Sequence, residues 1–262
     1  MIRRLGLALV CAVTVGFLSG PLVALLLRVP LADLARRLAD PIVVNALRLS
    51  LISTVVSLLL MMAFGTPLAY ALARRRFPGK WLVEGLVELP IILPPAVAGV
   101  ALLFTFGRRG LLGPALAAVG VDIAFSFAAV VLAQTFVAAP FYIKAARISF
   151  ADVPEELLQA AATEGAGDGQ VFRHILAPLA LPGLLGGAVL GWARALGEFG
   201  ATILFAGNFP GRTQTMPLAI YLALETDLDT TLVLAAILVS TSFVFLLAFK
   251  LLTGRTVDAG MA

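Results

Sequence analysis

Gln159-Ala-Ala-Ala-Thr-Glu-Gly165, with Ile175-Leu-Ala-Pro178 just beyond it, makes a polar, Ala/Gly-rich segment between two hydrophobic runs. The residues before it read as the start of a short helix. Asp152 can cap, Pro154 suits a first turn, and Glu155 and Glu156 favour the positive N-terminal end. Leu157–Thr163 then reads as a short helix of strong formers. Gly165, Gly167 and Gly169 end it and let the backbone turn sharply. Phe172-Arg-His-Ile-Leu leads on to Pro178, which opens the next span. The segment is more elaborate than an inter-span linker requires, and a compact helix with an Ala face suits a groove in a partner protein.

Composition says what surrounds this segment. The 262 residues are 61% hydrophobic and 13% charged, with mean hydropathy +1.04. A soluble globular domain is about 45–50% apolar and about 25% charged. The chain therefore reads as an all-α, polytopic membrane bundle. A membrane helix needs about 20 mostly apolar residues. About six spans meet that length: Leu5–Leu27, Leu49–Leu72, Leu86–Phe106, Ile123–Ile143, Leu179–Phe205 and Leu232–Leu252. The first opens with Met-Ile-Arg-Arg, as a signal peptide would, but its apolar run passes Ser19-Gly-Pro21 with no Ala-x-Ala site, so a retained span is expected. Met216–Leu224 is too short to cross and reads as re-entrant or interfacial.

One cysteine, Cys11, and one histidine, His174, leave no basis for a disulfide framework or a Cys/His metal cluster. The only lysines are Lys80, Lys144 and Lys250, and none completes a phosphate-binding Gly-x-x-x-x-Gly-Lys-Ser/Thr loop. If ATP drives this protein, another subunit binds it. The formal charge of +4 and pI near 9.7 do not call for nucleic acid, because Lys/Arg bias toward inner loops already accounts for many basic residues. That bias, led by Arg74, Arg75, Arg76, Lys80, Lys144, Arg147 and Arg173, puts both termini and Asp152–Pro178 in the cytoplasm.

Other motifs leave two readings each. Arg74-Arg-Arg-Phe-Pro-Gly-Lys80 is a topology anchor at the inner headgroup layer, or a contact for a cytoplasmic partner. Pro90, Pro94 and Pro95 predict a kinked or unwound start to the third span, which is tolerated only inside a bundle or along a water-filled cavity. Gly183, Gly187, Gly191 and Ala195 form a small-residue row for close packing within the bundle or across a dimer axis. Arg194 and Glu198, four apart, share a helix face and can pair. They are either an ion pair that fixes helix orientation or the border of a pathway or gate. Gly207-Asn-Phe-Pro-Gly-Arg-Thr-Gln-Thr-Met-Pro217 is a turn-rich outer loop, solvated or docking a partner.

Together these segments resemble a known family. The 159–178 spacing resembles the cytoplasmic "EAA loop" of ABC-importer permeases, with Gln159 in the place of the family's Glu and Ala177 in that of its Leu. Phe77-Pro-Gly-Lys80, Leu89-Pro-Ile-Ile-Leu-Pro-Pro-Ala-Val-Ala-Gly99, Gly107-Arg-Arg-Gly110, Ala193-Arg-Ala-Leu-Gly-Glu-Phe-Gly-Ala-Thr202 and Asn208–Pro217 resemble molybdate-importer permeases, over roughly residues 44–250. The resemblance implies a type I ABC importer permease fold in three parts: an N-terminal helix and outer loop over 1–43, the transmembrane domain over 44–250 with its coupling loop at 152–178, and a short cytoplasmic tail over 251–262. With so short a tail, no fused ATPase is expected.

The resemblance also implies roles and partners. Glu155, Gln159, Ala160, Ala161, Gly165, Ala166, Ile175 and Pro178 would form the ATPase-coupling loop. Arg194, Glu198, Phe199, Gly200, Pro94 and Pro95 would border the path or gate. Asn208, Arg212 and Gln214 would dock an extracytoplasmic oxyanion-binding protein. Implied partners are ABC ATPase subunits, which hold the ATP and Mg, that binding protein, a second permease copy as a homodimer, and the cell (inner) membrane; no cofactor is bound by this chain and no nucleic acid. Gln159 keeps the length and hydrogen bonding of Glu but not its charge. The implied cargo is molybdate, with sulfate or tungstate as alternatives. A secondary transporter would show an internal repeat, and an intramembrane enzyme a catalytic constellation beyond Arg194/Glu198; neither is seen.

Overall fold

The structure is a computed structural model and describes residues 2–30 and 34–259, which contain helices and no strand. In chain order the helices are α1 (Ile2–Leu27), α2 (Leu34–Leu38), α3 (Pro41–Arg74), α4 (Lys80–Ile92), α5 (Pro95–Phe106), α6 (Gly113–Ala118), α7 (Phe127–Asp152), α8 (Glu155–Thr163), α9 (Asp168–Val171), α10 (Ala177–Leu196), α11 (Gly200–Phe205), α12 (Met216–Thr226) and α13 (Leu228–Ala259). A π-helical turn, Phe172–Leu176, joins α9 to α10. Five helical runs are long and apolar enough to cross a membrane: Gly6–Leu27, Pro41–Arg74, Phe127–Asp152, Asp168–Leu196 and Leu228–Phe249. The pair α4 and α5 makes a sixth if taken as one span.

That pair corrects the expected third span. It is two helices bent by 117° rather than one kinked helix. Pro94 and Pro95 bring no N–H to continue α4, and a residue before proline is driven out of the helical region. Leu93 (φ −66°, ψ 135°) and Pro94 (φ −55°, ψ 134°) are both extended, and α5 restarts with Pro95 in its first turn. The expected fifth span, Leu179–Phe205, also divides: α10 stops at Leu196 and α11 begins at Gly200. The last helix runs on through Ala259, so most of the expected 251–262 tail continues α13; 260–262, like 31–33, lie outside the described residues. Met216–Thr226 is a helix too short to cross by itself.

Three helices make the centre. Tyr142 of α7 is fully buried between α3 and α10, in one cluster with Met61, Leu72, Phe150, Leu176 and Ala188. The small-residue row on α10 lies against α7 within the chain, not across a dimer axis. A Cβ at Gly183 would stand 2.3 Å from Ser149 Oγ, and one at Gly187 would stand 2.8 Å from Ala145 Cβ. The Ser149 hydroxyl donates to the Ala180 carbonyl across the same contact. In lipid, helix association relies on this kind of close van der Waals fit plus interhelical hydrogen bonds. Between α3 and α7, the Ser57 hydroxyl lies within bonding distance of Val131 O (3.2 Å) and Gln134 Oε1 (3.0 Å), all buried.

Two further packings frame this centre. Phe205 and Ala201 of α11 sit with Ala98 and Leu102 of α5 against Val130 and Ala133 of α7. Met216 and Ala219 of α12 sit with Val43 and Ala46 of α3 and Leu234 of α13. Arg37 of α2 ties to the start of α13, donating to Asp227 and to the Thr230 hydroxyl. The Thr230 hydroxyl and then Arg37 hold the Asp227 carboxyl well below the usual carboxylate range.

The α10–α7 contact gives a test within one helix. Replacing Gly187 with Leu forces the side chain into Ala145, and overpacking of this kind costs about 1–3 kcal/mol. Gly186→Leu meets open space and serves as the control. Thermal unfolding in detergent should show a lower melting temperature for Gly187→Leu only; equal shifts would refute the packing account.

Candidate functional site

Within the 152–178 segment, the short helix α8 is uncovered. No residue of α8 is buried, and Leu157, Gln159 and Ala160 are exposed. Its start differs from expectation. Asp152 ends α7 and does not cap, and Pro154 takes the N-cap position with no side-chain bond. Its end follows a Schellman pattern. Ala166 N donates to Ala161 O at 3.0 Å and Gly165 N to Ala162 O at 3.1 Å. Gly165 has φ +90°, a conformation that costs an L-residue roughly 1–2 kcal/mol. Gly167 and Gly169 do not end α8: Gly167 caps α9 and Gly169 lies inside it.

Arg74 fastens this helix to the bundle, a role its reading as a topology anchor missed. From the last turn of α3 it donates to the Val153 carbonyl and reaches Glu155 Oε2 at 2.9 Å, with only 14% of its side chain exposed. Beneath, Tyr70, Phe150 and Phe172 stack edge-on or tilted, with ring centres 5.3–6.2 Å apart. A groove of about 370 Å3 opens there between Arg74, Glu155, Gln159, Asp168 and Phe172. Ile175 sits half-buried in the π turn and Pro178 exposed in the first turn of α10. The Ala177 N–H reaches back to Phe172 O, and Pro178, with no N–H, needs no α-helical acceptor on the turn before it.

Arg194 and Glu198 do pair, Nη1 to Oε2 at 2.7 Å, but Glu198 lies beyond the end of α10 and not on its face. Its other oxygen accepts from Ala201 N at 2.8 Å, at the positive N-terminal end of α11. Glu198 is 1% exposed and Arg194 28%. Pro95 joins this cluster, because a Cβ at Gly200 would fall 2.7 Å from Pro95 Cβ. Phe199 turns to Tyr221 with ring centres 5.2 Å apart. Sequence reasoning missed two more pairs: Glu84–Arg147 at 3.1 Å and Glu88–Lys144 at 3.4 Å, which hold α4 on α7. The matching carboxylate and cation spacings on the two spans were the available signal.

The three residues expected to dock an outer partner do not form one surface. Arg212 is exposed. Asn208 donates to Leu218 O at 3.2 Å and holds the loop to α12. Gln214 is 2% exposed, because three successive amides, Arg212, Thr213 and Gln214, turn inward onto Phe209 O. Among the described residues no group of three or more His, Cys, Asp or Glu is placed to hold a metal ion.

The family described as "Binding-protein-dependent transport system inner membrane component" matches residues 65–256. The molybdenum transport system permease protein ModB of Mycobacterium tuberculosis is 45% identical over 227 residues, covering 85% of this chain and 84% of that protein. ModB of Escherichia coli K12 is 44% identical over 183 residues, covering 70% and 80%. The molybdate/tungstate permease WtpB of Thermococcus kodakarensis is 37% identical, covering 85% and 83%. In fold, the chain is similar to a bacterial alginate ABC importer, with TM-score 0.77, 16% identity and coverage of 97% and 96%. It is also similar to the inward-facing MetNI methionine transporter, with TM-score 0.64, 20% identity and coverage of 82% and 95%.

The buried pair predicts an asymmetry. Arg194→Met strands a carboxylate that is 1% exposed and should cost about 3 kcal/mol of stability. Glu198→Gln keeps a cap for Ala201 and leaves a cation with access to water, so it should cost less. The double variant should cost less than the sum. Denaturant unfolding of the three variants measures this, and additive costs would refute the coupling.

Proposed function

Because the chain belongs to the inner membrane components of binding-protein-dependent transport systems, we propose that it is the membrane-spanning permease subunit of an ATP-driven importer of molybdate. The observation that carries this reading is the 45% identity, over 85% of the chain, to a molybdenum permease. Sulfate and tungstate are the competing cargoes, and a permease protein 37% identical to this chain is named for molybdate/tungstate transport.

In this reading ATP and Mg are held by separate ATPase subunits, and α8 is the part they grip. Three features support that role: its exposed Ala face, its Gly165 closure and its fastening to α3 through Arg74. Force on α8 passes through Arg74 into α3 and through the Tyr70–Phe150–Phe172 rings into α7 and α10. Gln159 supplies hydrogen bonds at the contact, while Glu156 supplies the negative charge one turn earlier. At the far end of α10, the Arg194–Glu198 pair keeps the α10–α11 break closed, beside the α4–α5 bend. A break in two helices at once places non-helical backbone within the bundle, which is tolerated along an internal path.

A second copy of the chain completes the path, an oxyanion-binding protein delivers cargo at the end opposite α8, and both termini face the cytoplasm. The chain catalyses nothing itself; hydrolysis belongs to its partners.

Reconstitution of the chain with a co-expressed ATPase and a binding protein in proteoliposomes tests the assignment. Molybdate uptake should require ATP and be competed by tungstate more strongly than by sulfate; uptake independent of ATP would refute it. Gly165→Tyr should abolish uptake and co-purification of the ATPase while leaving the chain in the membrane, since the substitution strains the φ +90° turn without touching a neighbour.

A further inference from the structure

We propose that the end of the bundle opposite α8 carries a site for a tetrahedral oxyanion, built by Arg48 of α3 and Arg212 of the 207–215 loop. Both residues line one cavity of about 380 Å3 with Asn45, Ile52, Phe127 and Gly211. Arg48 and Arg74 sit on the same helix, about 39 Å apart at a rise of about 1.5 Å per residue, so the two lie beyond opposite faces of a hydrocarbon core about 30 Å thick.

No carboxylate lines this cavity. Neither arginine has an ion-pair partner among the described residues. Asp122 borders a neighbouring cavity with Arg212. Arg108 already takes both of its oxygens, with Nε to Oδ1 at 3.3 Å and Nη2 to Oδ2 at 2.8 Å. Two like charges on the wall of one cavity are disfavoured together, and an anion between them relieves that repulsion.

The loop that presents Arg212 is prebuilt. The amides of Arg212, Thr213 and Gln214 converge on Phe209 O at 3.1, 2.9 and 3.1 Å. Phe209 N donates to Thr213 Oγ1 at 3.1 Å. Gly211 supplies a positive φ of 72° at the turn. Met216 N then donates to Ser50 Oγ at 2.7 Å, which pins the loop two residues along α3 from Arg48. Little ordering of the loop backbone is left for a ligand to impose. Each guanidinium is a planar fork that matches one edge of an anion. A carboxylate has one such edge, whereas a tetrahedral oxyanion has several and can take both forks and the Asn45 amide together. Two sources share this chemistry: a transported oxyanion, and the phosphate of a phospholipid headgroup with its chains along Ile52 and Phe127. Only the first source rests on the transport reading above.

The test uses the full-length chain, delipidated in a maltoside detergent, titrated calorimetrically with molybdate and with inorganic phosphate. The wild type should bind both. Arg48→Gln with Arg212→Gln should weaken binding about tenfold or more, the loss expected for removing charge-assisted hydrogen bonds. Arg48→Lys with Arg212→Lys keeps the charge and serves if the Gln pair fails to fold; it should weaken binding by a smaller factor. Arg109→Gln, an exposed cation outside the cavity, should change nothing. Phosphatidylglycerol that competes with molybdate, and is retained in native mass spectra by the wild type but not by the Gln pair, identifies the headgroup source. Lowered molybdate uptake by the Gln pair in proteoliposomes, with no such competition, identifies the cargo source. Equal affinity in the wild type and both double variants, or no binding by the wild type, overturns the site. Absence of uptake by the wild type would sink the transport reading and leave the binding comparison intact.

Discussion

The rest of this structure depends on how closely α10 can approach α7. Water drives no association between two helices already in lipid, so contact rests on dispersion between matched surfaces. Gly183 and Gly187 bring the α10 backbone down on Ser149 and Ala145, and Gly191 makes room beside Tyr142 and Met61. Tyr142 then fills the angle between three helices: a Cβ at Gly65 of α3 would fall 2.9 Å from its ring. The three helices close on one another as a wedge fit. Both the uncovered helix at one end and the paired charges at the other are mounted on that fit.

Several polar groups inside the bundle are handled locally. Glu198 is almost wholly buried, yet one oxygen meets a guanidinium and the other a helix N-terminus. Ser50 and Ser57 of α3 answer backbone and side-chain groups on neighbouring elements. A hydroxyl bound to a carbonyl or an amide across a helix interface adds little area but fixes rotation, which apolar contacts alone leave loose. The α4–α7 ion pairs do the same for a helix that has no buried residue of its own.

Much of this was legible in the sequence because membrane helices follow from length and hydropathy, and because glycine and proline act locally. Most of the spans, the small-residue row, the short exposed helix and its Gly165 turn all follow from residues close in sequence. What was missed depends on contacts across the chain. Arg74 looked like a headgroup anchor, since nothing local says that Val153 and Glu155 will come to meet it. Arg194 and Glu198 obeyed i, i+4 spacing, but the helix ended between them and the pair formed around a break. Gln214 looked like a loop residue, and only the convergence of three amides on Phe209 turned it inward. The proline cluster announced a disruption; its 117° angle follows from two consecutive extended residues, whose combined effect no single-residue rule supplies.

The π turn at Phe172–Leu176 also sets an orientation. Such a turn holds about one residue more than the α turn it replaces, and one residue is about 100° of rotation around a helix axis. Removing any one residue there would restore regular hydrogen bonding to the helix and shorten the chain by a trivial distance. It would also swing α8 and its Ala face about a quarter of the way around α10. The number of residues between Gly165 and Pro178 therefore works as an angular setting, fixing the direction in which the bundle presents α8.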